Sequence, residues 1–378
     1  MHRLPKLLPA ALLASFVLSA FGADAPAPAS TTPASVPATS AAPAPTPAAV
    51  NPTPAPAAAR GRGAPVAPGI PIPPSVAWAY AINTPGVRGH PDDGQPKSVP
   101  NSEVRLTRAQ ITGRGAPVAD WHPGDHPPMP DIVGKPRTNP NMLACGYCHL
   151  PNGAGRPENT SLSGLTPNYF KQQVRAFQKD ERPGAEPRRG PQTAMIAAAK
   201  AMSDEELELA ANYFASIKPT DFLEVVETDT VPKIIVAGWM HVKAPGDETE
   251  PLGNRIVELS ADFERFELRD SRIPYTAYVP VGSIKRGSEL VNNPPAGKTI
   301  QCTICHGPGL KGGPADNPAF ADVPRLAGRS PSYLMRQLFD MKHDKRTGAQ
   351  TALMKPVVAN LSDEDMLAIV AYIASLDP

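Results

Sequence analysis

The sequence has almost no excess charge of either sign, because 37 lysines and arginines oppose 36 aspartates and glutamates for a formal net charge of +1. No stretch is dense enough in basic residues to bind nucleic acid, so we exclude that class of partner. Long apolar runs are also missing after the N-terminus, and we predict no membrane-spanning helix. Cysteine is scarce as well, since the chain has only four.

Proline, by contrast, is abundant, with 49 residues in the chain. Residues 1–23 have the pattern of a signal peptide, in which Arg3 and Lys6 precede a short apolar run and then small residues. Residues 24–72 are almost entirely Ala, Pro, Thr and Val, and this composition predicts a disordered linker. The sequence therefore predicts a protein that is secreted into the periplasm.

Two pentapeptides with the pattern C-x-x-C-H contain all four cysteines, at residues 145–149 and 302–306. This spacing places two thiols where they can add to the vinyl groups of one porphyrin, with the adjacent histidine beneath the iron. The motifs therefore predict two covalently bound haem c groups. The residues predicted to bind them are Cys145, Cys148, His149, Cys302, Cys305 and His306.

Two other uses of these cysteines fit the pattern less well. A disulfide framework rarely leaves a histidine at the same place twice. A zinc site built from two C-x-x-C pairs is also disfavoured, because the pairs are much farther apart in the sequence than those of a zinc ribbon.

The sequence that follows the first motif is repeated after the second. Residues 162–184 align with residues 326–348 without a gap. After a small length difference, the alignment resumes at a methionine in each unit and continues through a Ser-Asp-Glu helix start. This duplication predicts two related haem domains. Their motif-bearing parts are called here the first repeat (residues 145–219) and the second repeat (residues 282–378).

The methionines at the aligned position are Met195 and Met354. A haem iron in an electron carrier usually binds methionine opposite histidine, so we predict these two as the sixth ligands. Met202 fails the same test, because it aligns with Leu361. The methionines predicted to be ordinary core residues are Met202, Met335, Met341 and Met366. The iron ligands are therefore predicted to be His149, Met195, His306 and Met354.

The helix after each motif begins with a capping residue and proline, Thr166-Pro167 in the first repeat. The first of these helices is predicted to run past Phe177 and to stop at Pro183-Gly184, and a proline-broken loop is predicted from there to Met195. Each of these helices is followed by an aligned arginine, Arg182 or Arg346. These arginines can pair with a haem propionate or can lie in solvent near the helix end.

The stretch between the repeats, residues 220–281, contains five runs with strand character, including Phe266-Glu267-Leu268. We therefore predict a β-rich connector rather than a structureless one. His241 lies within it, and we expect a structural histidine there. His122 and His126 lie in a proline-rich loop that cannot be helical, and we expect that loop to wrap the first haem domain with Trp121 as its packing anchor.

The residues of the second repeat resemble those of the class I c-type cytochromes, and the closest branch is the two-haem cytochrome c4 type. The resemblance is carried by the motif at 302–306 with Gly307, by Leu326-Ala327-Gly328, and by Tyr333, Gln337, Arg346, Met354 and Tyr372. It implies two small all-α domains with His/Met-ligated iron and single-electron transfer in the periplasm. Residues 127–140 are crowded with proline, so the helix that precedes the motif in that family is missing or displaced in the first repeat.

These observations predict a mainly α protein in which two cytochrome c-like haem domains are separated by a small β-rich insert. The first domain, with an irregular N-terminal extension, spans residues 73–219; the connector spans 220–281; and the second domain spans 282–378. Residues 1–72 would be signal peptide and disordered Pro/Ala-rich region.

The predicted function is that of a periplasmic dihaem electron carrier without catalytic residues. Its expected redox partners are a dehydrogenase, a bc1-type complex or a terminal oxidase. One alternative is a cytochrome subunit of a membrane dehydrogenase or oxidase complex, with peripheral attachment to that complex. The other is a dihaem peroxidase-like or thiosulfate-oxidising enzyme, in which His122, His126 or His241 could displace Met195. A thiolate-ligated haem would need a fifth cysteine.

Overall fold

The computed structural model describes residues 69–87, 89–139, 142–313 and 317–378. The predicted signal peptide and most of the predicted linker lie outside the described residues. The α-helices of the described part are α1 (Pro74–Ala77), α2 (Arg108–Thr112), α3 (Asp131–Gly134), α4 (Cys145–His149), α5 (Pro167–Gln178), α6 (Gly190–Lys200), α7 (Asp204–Ala215), α8 (Phe263–Glu267), α9 (Ser283–Asn292), α10 (Thr303–His306), α11 (Pro331–Lys342), α12 (Lys355–Val358) and α13 (Asp363–Ala374).

The strands are β1 (Leu223–Glu227), β2 (Thr230–Pro232), β3 (Ile234–Ala237), β4 (Met240–Lys243), β5 (Thr249–Pro251), β6 (Val257–Ser260) and β7 (Tyr275–Val279). Short 3-10 helices occupy Trp78–Tyr80, Pro123–Asp125, Pro308–Leu310 and Ala349–Leu353. Both repeats are helical, as a cytochrome c-like fold requires. No helix among the described residues combines the length and apolarity needed to cross a membrane.

The second repeat is organised around α13, which is buried along most of its length. Helix α9 crosses it at Gly287, where the two backbones approach closely. A Cβ atom added at Gly287 would lie 2.6 Å from the Tyr372 Cβ atom and would also meet the Ala368 carbonyl oxygen. Glycine is required here by this close approach rather than by an unusual backbone angle.

Replacing Gly287 with alanine should therefore destabilise the protein, although alanine usually stabilises a helix relative to glycine. We expect a loss of about 1–3 kcal/mol in the free energy of unfolding, because the two helices must separate to admit the methyl group. Denaturant titration followed by circular dichroism measures the change. The matched control is Gly115→Ala, where an added Cβ meets nothing within 4 Å. An equal effect at both positions would contradict the account.

The first repeat packs α5, α6 and α7 around the buried Phe214. The helix starts predicted at Thr166 and Ser203 are confirmed, because each side chain accepts a hydrogen bond from the helix backbone. In the proline-rich stretch from residue 127 to the motif, the described residues contain only the single turn α3, which packs on α4 and α7. This agrees with the missing or displaced helix predicted there.

The predicted loop up to Met195 is wrong, because α6 occupies Gly190–Lys200. Its proline, Pro191, lies in the first turn, where the missing N–H has no helical partner to lose. The alanines that follow favour a helix. The first repeat therefore presents Met195 from a regular helix, whereas Met354 follows a 3-10 helix.

The strands lie between Leu223 and Val279. Strand β7 is central in a three-stranded sheet, parallel to β1 and antiparallel to β6. The predicted strand at residues 266–268 is wrong, because α8 (Phe263–Glu267) covers most of it. The reason is local: the Asp262 side chain accepts a hydrogen bond from the Arg265 backbone N–H and so starts a helix.

The segment before the first repeat also differs from its prediction. The sequence assigned residues 73–219 to one domain, but Val76, Trp78 and Tyr80 pack in the core of the second repeat with Leu334 and Phe339. The Tyr80 hydroxyl donates to the Asp340 carboxylate over 2.7 Å. Burial of large apolar side chains drives this contact, which sequence proximity cannot predict. Trp121 is 2% exposed, and its indole N–H donates to the Leu268 carbonyl in the connector rather than to the first repeat.

A buried glutamate, Glu258 on β6, joins the strands to α11. It accepts hydrogen bonds from the Ser330 hydroxyl (2.8 Å) and the Ser332 backbone N–H (3.4 Å), at the positive end of the helix. Burial raises the pKa of Glu258 to about 7, against the opposing effect of these hydrogen bonds. The folded protein therefore holds a proton that the unfolded chain releases near pH 4.5.

The raised pKa of Glu258 determines the direction in which the stability of the protein changes with pH. Glu258 contributes stability that is fully present below its unfolded pKa and is lost as the pH rises to about 7. Glu258→Gln should remove that dependence. The free energy of unfolding of the variant, relative to that of the wild type, should therefore rise by roughly 1–3 kcal/mol between pH 4.5 and pH 8. Unfolding titrations at several pH values measure the gain. A constant difference between the two proteins across this range would contradict the assignment.

Candidate functional site

The first motif forms one wall of a large open cavity in the first repeat. Its empty volume is about 1370 Å³, including the solvent at its mouth. Helix α4 contributes the motif, and α5 and α6 enclose the space opposite. The site residues that line it are Cys145, Cys148, His149 and Met195. The structure thus brings together all four residues that the sequence predicted for the first haem.

The second repeat contains an equivalent cavity, with an empty volume of about 1340 Å³ that again includes solvent at the mouth. Residues of helices α11 and α13 line the second cavity. The predicted residues that line it are Cys302, Cys305, His306 and Met354. Because the two C-x-x-C pairs lie in separate cavities, they cannot form one four-cysteine zinc site.

The two motif histidines have the same hydrogen bond. His149 Nδ1 lies 2.8 Å from the Thr160 carbonyl oxygen, and His306 Nδ1 lies 2.8 Å from the Pro324 carbonyl oxygen. A carbonyl can only accept, so Nδ1 carries the proton and the Nε2 lone pair is free. Burial lowers the pKa of both histidines, which favours the neutral imidazole. Each ring is thus prepared to bind a metal through Nε2.

The surroundings of the motif cysteines favour an uncharged sulfur atom. Burial raises the pKa of the Cys145 thiol to about 12 and that of the Cys302 thiol to about 11. Neither cavity therefore stabilises a thiolate at neutral pH. A thioether, which carries no charge, is the form that fits these surroundings.

Two methionines line each cavity, and the repeat distinguishes between them. The first cavity contains Met202 as well as Met195, and the second contains Met341 as well as Met354. Met202 aligns with Leu361 and Met341 aligns with Phe177, and both of these aligned residues also line a cavity. Those two positions are therefore apolar lining in either repeat. Only the Met195/Met354 position supplies a sulfur atom in both.

The cavities share a wall where the repeats meet. The side chains that line both of them are Tyr169, Gln173, Arg329, Tyr333 and Gln337. Gln173 and Gln337 are aligned positions of the repeat, as are Tyr169 and Tyr333. The duplication therefore extends to the contact between the two cavities.

The two aligned arginines bind across this wall symmetrically. Arg182 donates to Gln173 (3.0 Å) and Gln337 (2.9 Å), and Arg346 donates to Gln337 (3.0 Å) and Gln173 (2.9 Å). Both arginines are buried, so the solvated alternative for them is wrong. Each glutamine oxygen bridges the two guanidinium groups and holds the repeats in register.

The wall carries a concentrated positive charge. Burial alone would raise the pKa of Tyr333, but Arg182, Arg346 and Arg329 lower it to about 8. Arg329 Nη2 and Arg346 Nε are buried and have no hydrogen-bond partner in the described part of the chain. Buried donors of this kind require an anionic acceptor. The carboxylates of a porphyrin would supply it, so the donor set and both cavities fit haem.

The other histidines lie elsewhere. His122 contacts the Asp270 carboxylate and His126 contacts that of Asp120, while His241 lies on β4 and burial lowers its pKa to about 4. None of the three lines either haem cavity. Sequence reasoning missed Arg329, because it aligns with Leu165 and so gives no signal in the repeat.

Comparison with known proteins identifies the family to which the chain belongs. Residues 284–377 match the family model for cytochrome c. Cytochrome c4 of Azotobacter vinelandii is 28% identical over 235 residues, or 61% of this chain and 84% of that protein. Cytochrome c-554(548) of Halomonas halodenitrificans is 36% identical over 75 residues, or 20% of this chain and 82% of that protein.

A third relative is the thiosulfate dehydrogenase electron acceptor of Thiomonas intermedia. It is 24% identical over 238 residues, or 62% of this chain and 80% of that protein. The matches to cytochrome c4 and to the electron acceptor, over 235 and 238 residues, are each far longer than one repeat. The two motifs account for two covalently bound haem c groups. The chain therefore belongs to the class I c-type cytochromes, as a dihaem electron carrier of the cytochrome c4-like kind.

Proposed function

We propose that the protein carries single electrons between redox partners of a periplasmic respiratory chain through two haems, each ligated by histidine and methionine. The observation that carries this proposal is the pair of equivalent cavities that share one wall. Each cavity brings two cysteines, a histidine with a free Nε2 atom and the repeated methionine to one space. Haem supplies a reversible one-electron couple when it is bound.

The chain's own residues have distinct tasks in this proposal. Cys145 and Cys148 attach the first porphyrin, and Cys302 and Cys305 attach the second. The carbonyls of Thr160 and Pro324 hold the histidines in the tautomer that can bind iron. Met195 and Met354 would hold the iron together with the histidines, and neither cavity would then keep a coordination site open for substrate.

The shared wall supports electron exchange between the two haems. Tyr169, Gln173, Tyr333 and Gln337 separate the cavities by the thickness of one layer of side chains. The hydrogen bonds of Arg182 and Arg346 fix that layer, and their positive charge suits the propionate groups. Electrons would thus cross between the repeats without leaving the protein.

A partner would dock at the mouth of a cavity. At the second mouth Ile300 is 42% exposed and Leu353 is 62% exposed, and both line the cavity. Apolar side chains at such a rim favour contact with another protein surface. A dehydrogenase, a bc1-type complex and a terminal oxidase are the proposed partners. The relative that is an electron acceptor of thiosulfate dehydrogenase favours the first of these.

We also propose the location given by the sequence and its limits for the signal peptide, the spacer and the connector. Residues 1–23 would direct export, 24–72 would form the spacer, and 220–281 would form a connector between two haem domains. The alternative, a cytochrome subunit of a membrane dehydrogenase or oxidase complex, uses the same site. Stable co-purification with such a complex would favour it over a free carrier.

The carrier proposal is tested by small ligands that need an open iron. The intact reduced protein should bind carbon monoxide slowly and incompletely, and the mixed-valence protein should react slowly with peroxide, because methionine occupies the sixth position. Stopped-flow spectroscopy measures both rates. Rapid binding and rapid peroxide turnover would instead support the peroxidase-like enzyme.

A further inference from the structure

The two repeats differ in length at one place beside the haem cavities. Met195 is the eleventh residue after the aligned Gly184, but Met354 is only the sixth residue after Gly348. The additional residues of the first repeat include Arg188 and Arg189. Arg189 lines the first cavity and is 4% exposed. The second repeat has no equivalent of this buried arginine.

Arg189 is a buried cation that forms no ion pair with any carboxylate of the described residues. Its Nη2 donates to the Trp239 carbonyl over 3.1 Å, and its Nε has no hydrogen-bond partner in the described part of the chain. The carboxylates that interact electrostatically with Arg189 are Glu158, Asp340 and Glu186, and all three are already engaged. Glu186 pairs with Arg188. Glu158 pairs with Arg156, and Asp340 accepts from Tyr80 and from the Ala185 N–H.

The environment of Arg189 increases this need for an anion. Burial lowers its pKa well below the ordinary value, and the neighbouring Arg336 lowers it further. A guanidinium group nevertheless stays protonated in proteins. An unpaired buried charge is costly, and the cavity that Arg189 faces is the place from which an anion can reach it.

The hairpin of β3 and β4 holds Arg189 in place. Its tip residue, Trp239, has a positive φ of 70° and supplies the accepting carbonyl. The indole ring packs on Gly190, where an added Cβ would lie 2.7 Å from Cζ2 of Trp239. The strand-rich connector therefore reaches the start of α6, the helix that carries Met195.

We propose that Arg189, positioned by the β3–β4 hairpin, binds a propionate carboxylate of the first haem and raises the reduction potential of that haem. The proposal rests on the proposed function, since it takes the first cavity as a haem site. A fixed positive charge favours the state that has gained an electron. The effect is specific to the first cavity, because the residues that supply it are missing from the second repeat.

More arginines line the first cavity than the second, so the overall charge also favours a higher reduction potential for the first haem. The arginines that line the first are Arg114, Arg182, Arg189, Arg329 and Arg336, with Glu158 as the single acid. Those that line the second are Arg325, Arg329 and Arg346, with Asp322 as the single acid. The first haem is therefore expected to be reduced before the second.

The test is a redox titration of the two haems in the holoprotein. Arg189→Gln should lower one of the two potentials by about 59 mV, a tenfold change in the equilibrium constant for a one-electron couple. Arg189→Lys should recover most of this shift, because it restores the charge. Gly190→Ala should shift the same wave in the same direction by less. The matched control is Arg175→Gln, whose side chain is 43% exposed, pairs with Asp204 and lines neither cavity, and it should shift neither potential.

A second variant shows that the effect belongs to one haem. Arg325 lines only the second cavity, and its Nε is also unpartnered in the described residues, so Arg325→Gln should move the other wave. Equal shifts of both waves in Arg189→Gln, or no shift, would overturn the proposal. A wild-type wave that moves with phosphate concentration, but is fixed in Arg189→Gln, would also overturn it by assigning Arg189 to a solvent anion.

These outcomes are separate from a failure of the proposed function. The methionine-to-iron absorption band should persist in Arg189→Gln, because Met195 is not altered. If Met195→Ala left that band unchanged, the axial assignment would fail while the Arg189 shift could still be measured.

Discussion

Met195→Ala and Met354→Ala should each remove about half of the weak red absorption band that arises from methionine-to-iron charge transfer in the oxidised protein. Each cavity contains one methionine at the repeated position, so each substitution should abolish one of two equal contributions. The potential of the affected haem should fall as well, because a thioether ligand raises it. The double variant should lack the band entirely.

The matched controls are Met202→Leu and Met341→Leu. These methionines line the same cavities but align with residues that cannot ligate iron, so both variants should keep the full band. Their volume changes little, and we expect a cost below about 1.5 kcal/mol in stability. A band that stays at full strength in Met195→Ala but falls by half in Met202→Leu would transfer the ligand assignment to Met202.

Removal of one cysteine pair should produce the second large effect, the loss of one covalently bound haem out of two. In Cys145→Ala/Cys148→Ala the first porphyrin has no thiol to which its vinyl groups can add. The mass of the denatured chain should fall by one haem, and haem staining on a denaturing gel should fall by half. Cys302→Ala/Cys305→Ala should give the same loss at the second cavity.

The control for these variants is a conservative substitution of Ile304. This exposed residue occupies one of the two variable positions of the second motif. Ile304→Val should retain both haems, because the thiols and the histidine are unchanged. Full covalent haem in either cysteine-pair variant would contradict the attachment sites. The absence of both haems from one pair variant would show that the two cavities do not load independently.

The parts of the site that could be predicted are those that occur twice. The cysteines and histidines were predicted from the motif, and Met195 and Met354 from their shared place in the repeat. The structure brings them into two cavities as expected. Gln173 and Gln337 are also repeated, and the duplication explains why they can bind the two arginines symmetrically. The same residue at both aligned positions indicates a shared role, since chance rarely places it there twice.

The parts that could not be predicted occur once and depend on long-range packing. Arg329 reaches across to the Thr160 hydroxyl and the Ser161 carbonyl in the other repeat, and nothing in its neighbouring sequence indicates this. The packing of Trp78 and Tyr80 on the second repeat depends on burial after the chain has folded. Helix α6 was missed because the prolines before it and at its start suggested a loop, although Pro191 lies where a helix tolerates proline.

The most direct test of the account is a spectroelectrochemical titration of the intact holoprotein. We predict two one-electron waves of equal size, with the methionine-to-iron band growing in parallel with oxidation of each haem. This result would count the haems and report their ligation together. A single wave, or an oxidised protein in which one or both haems lack the band, would contradict a dihaem carrier with His/Met ligation in both cavities.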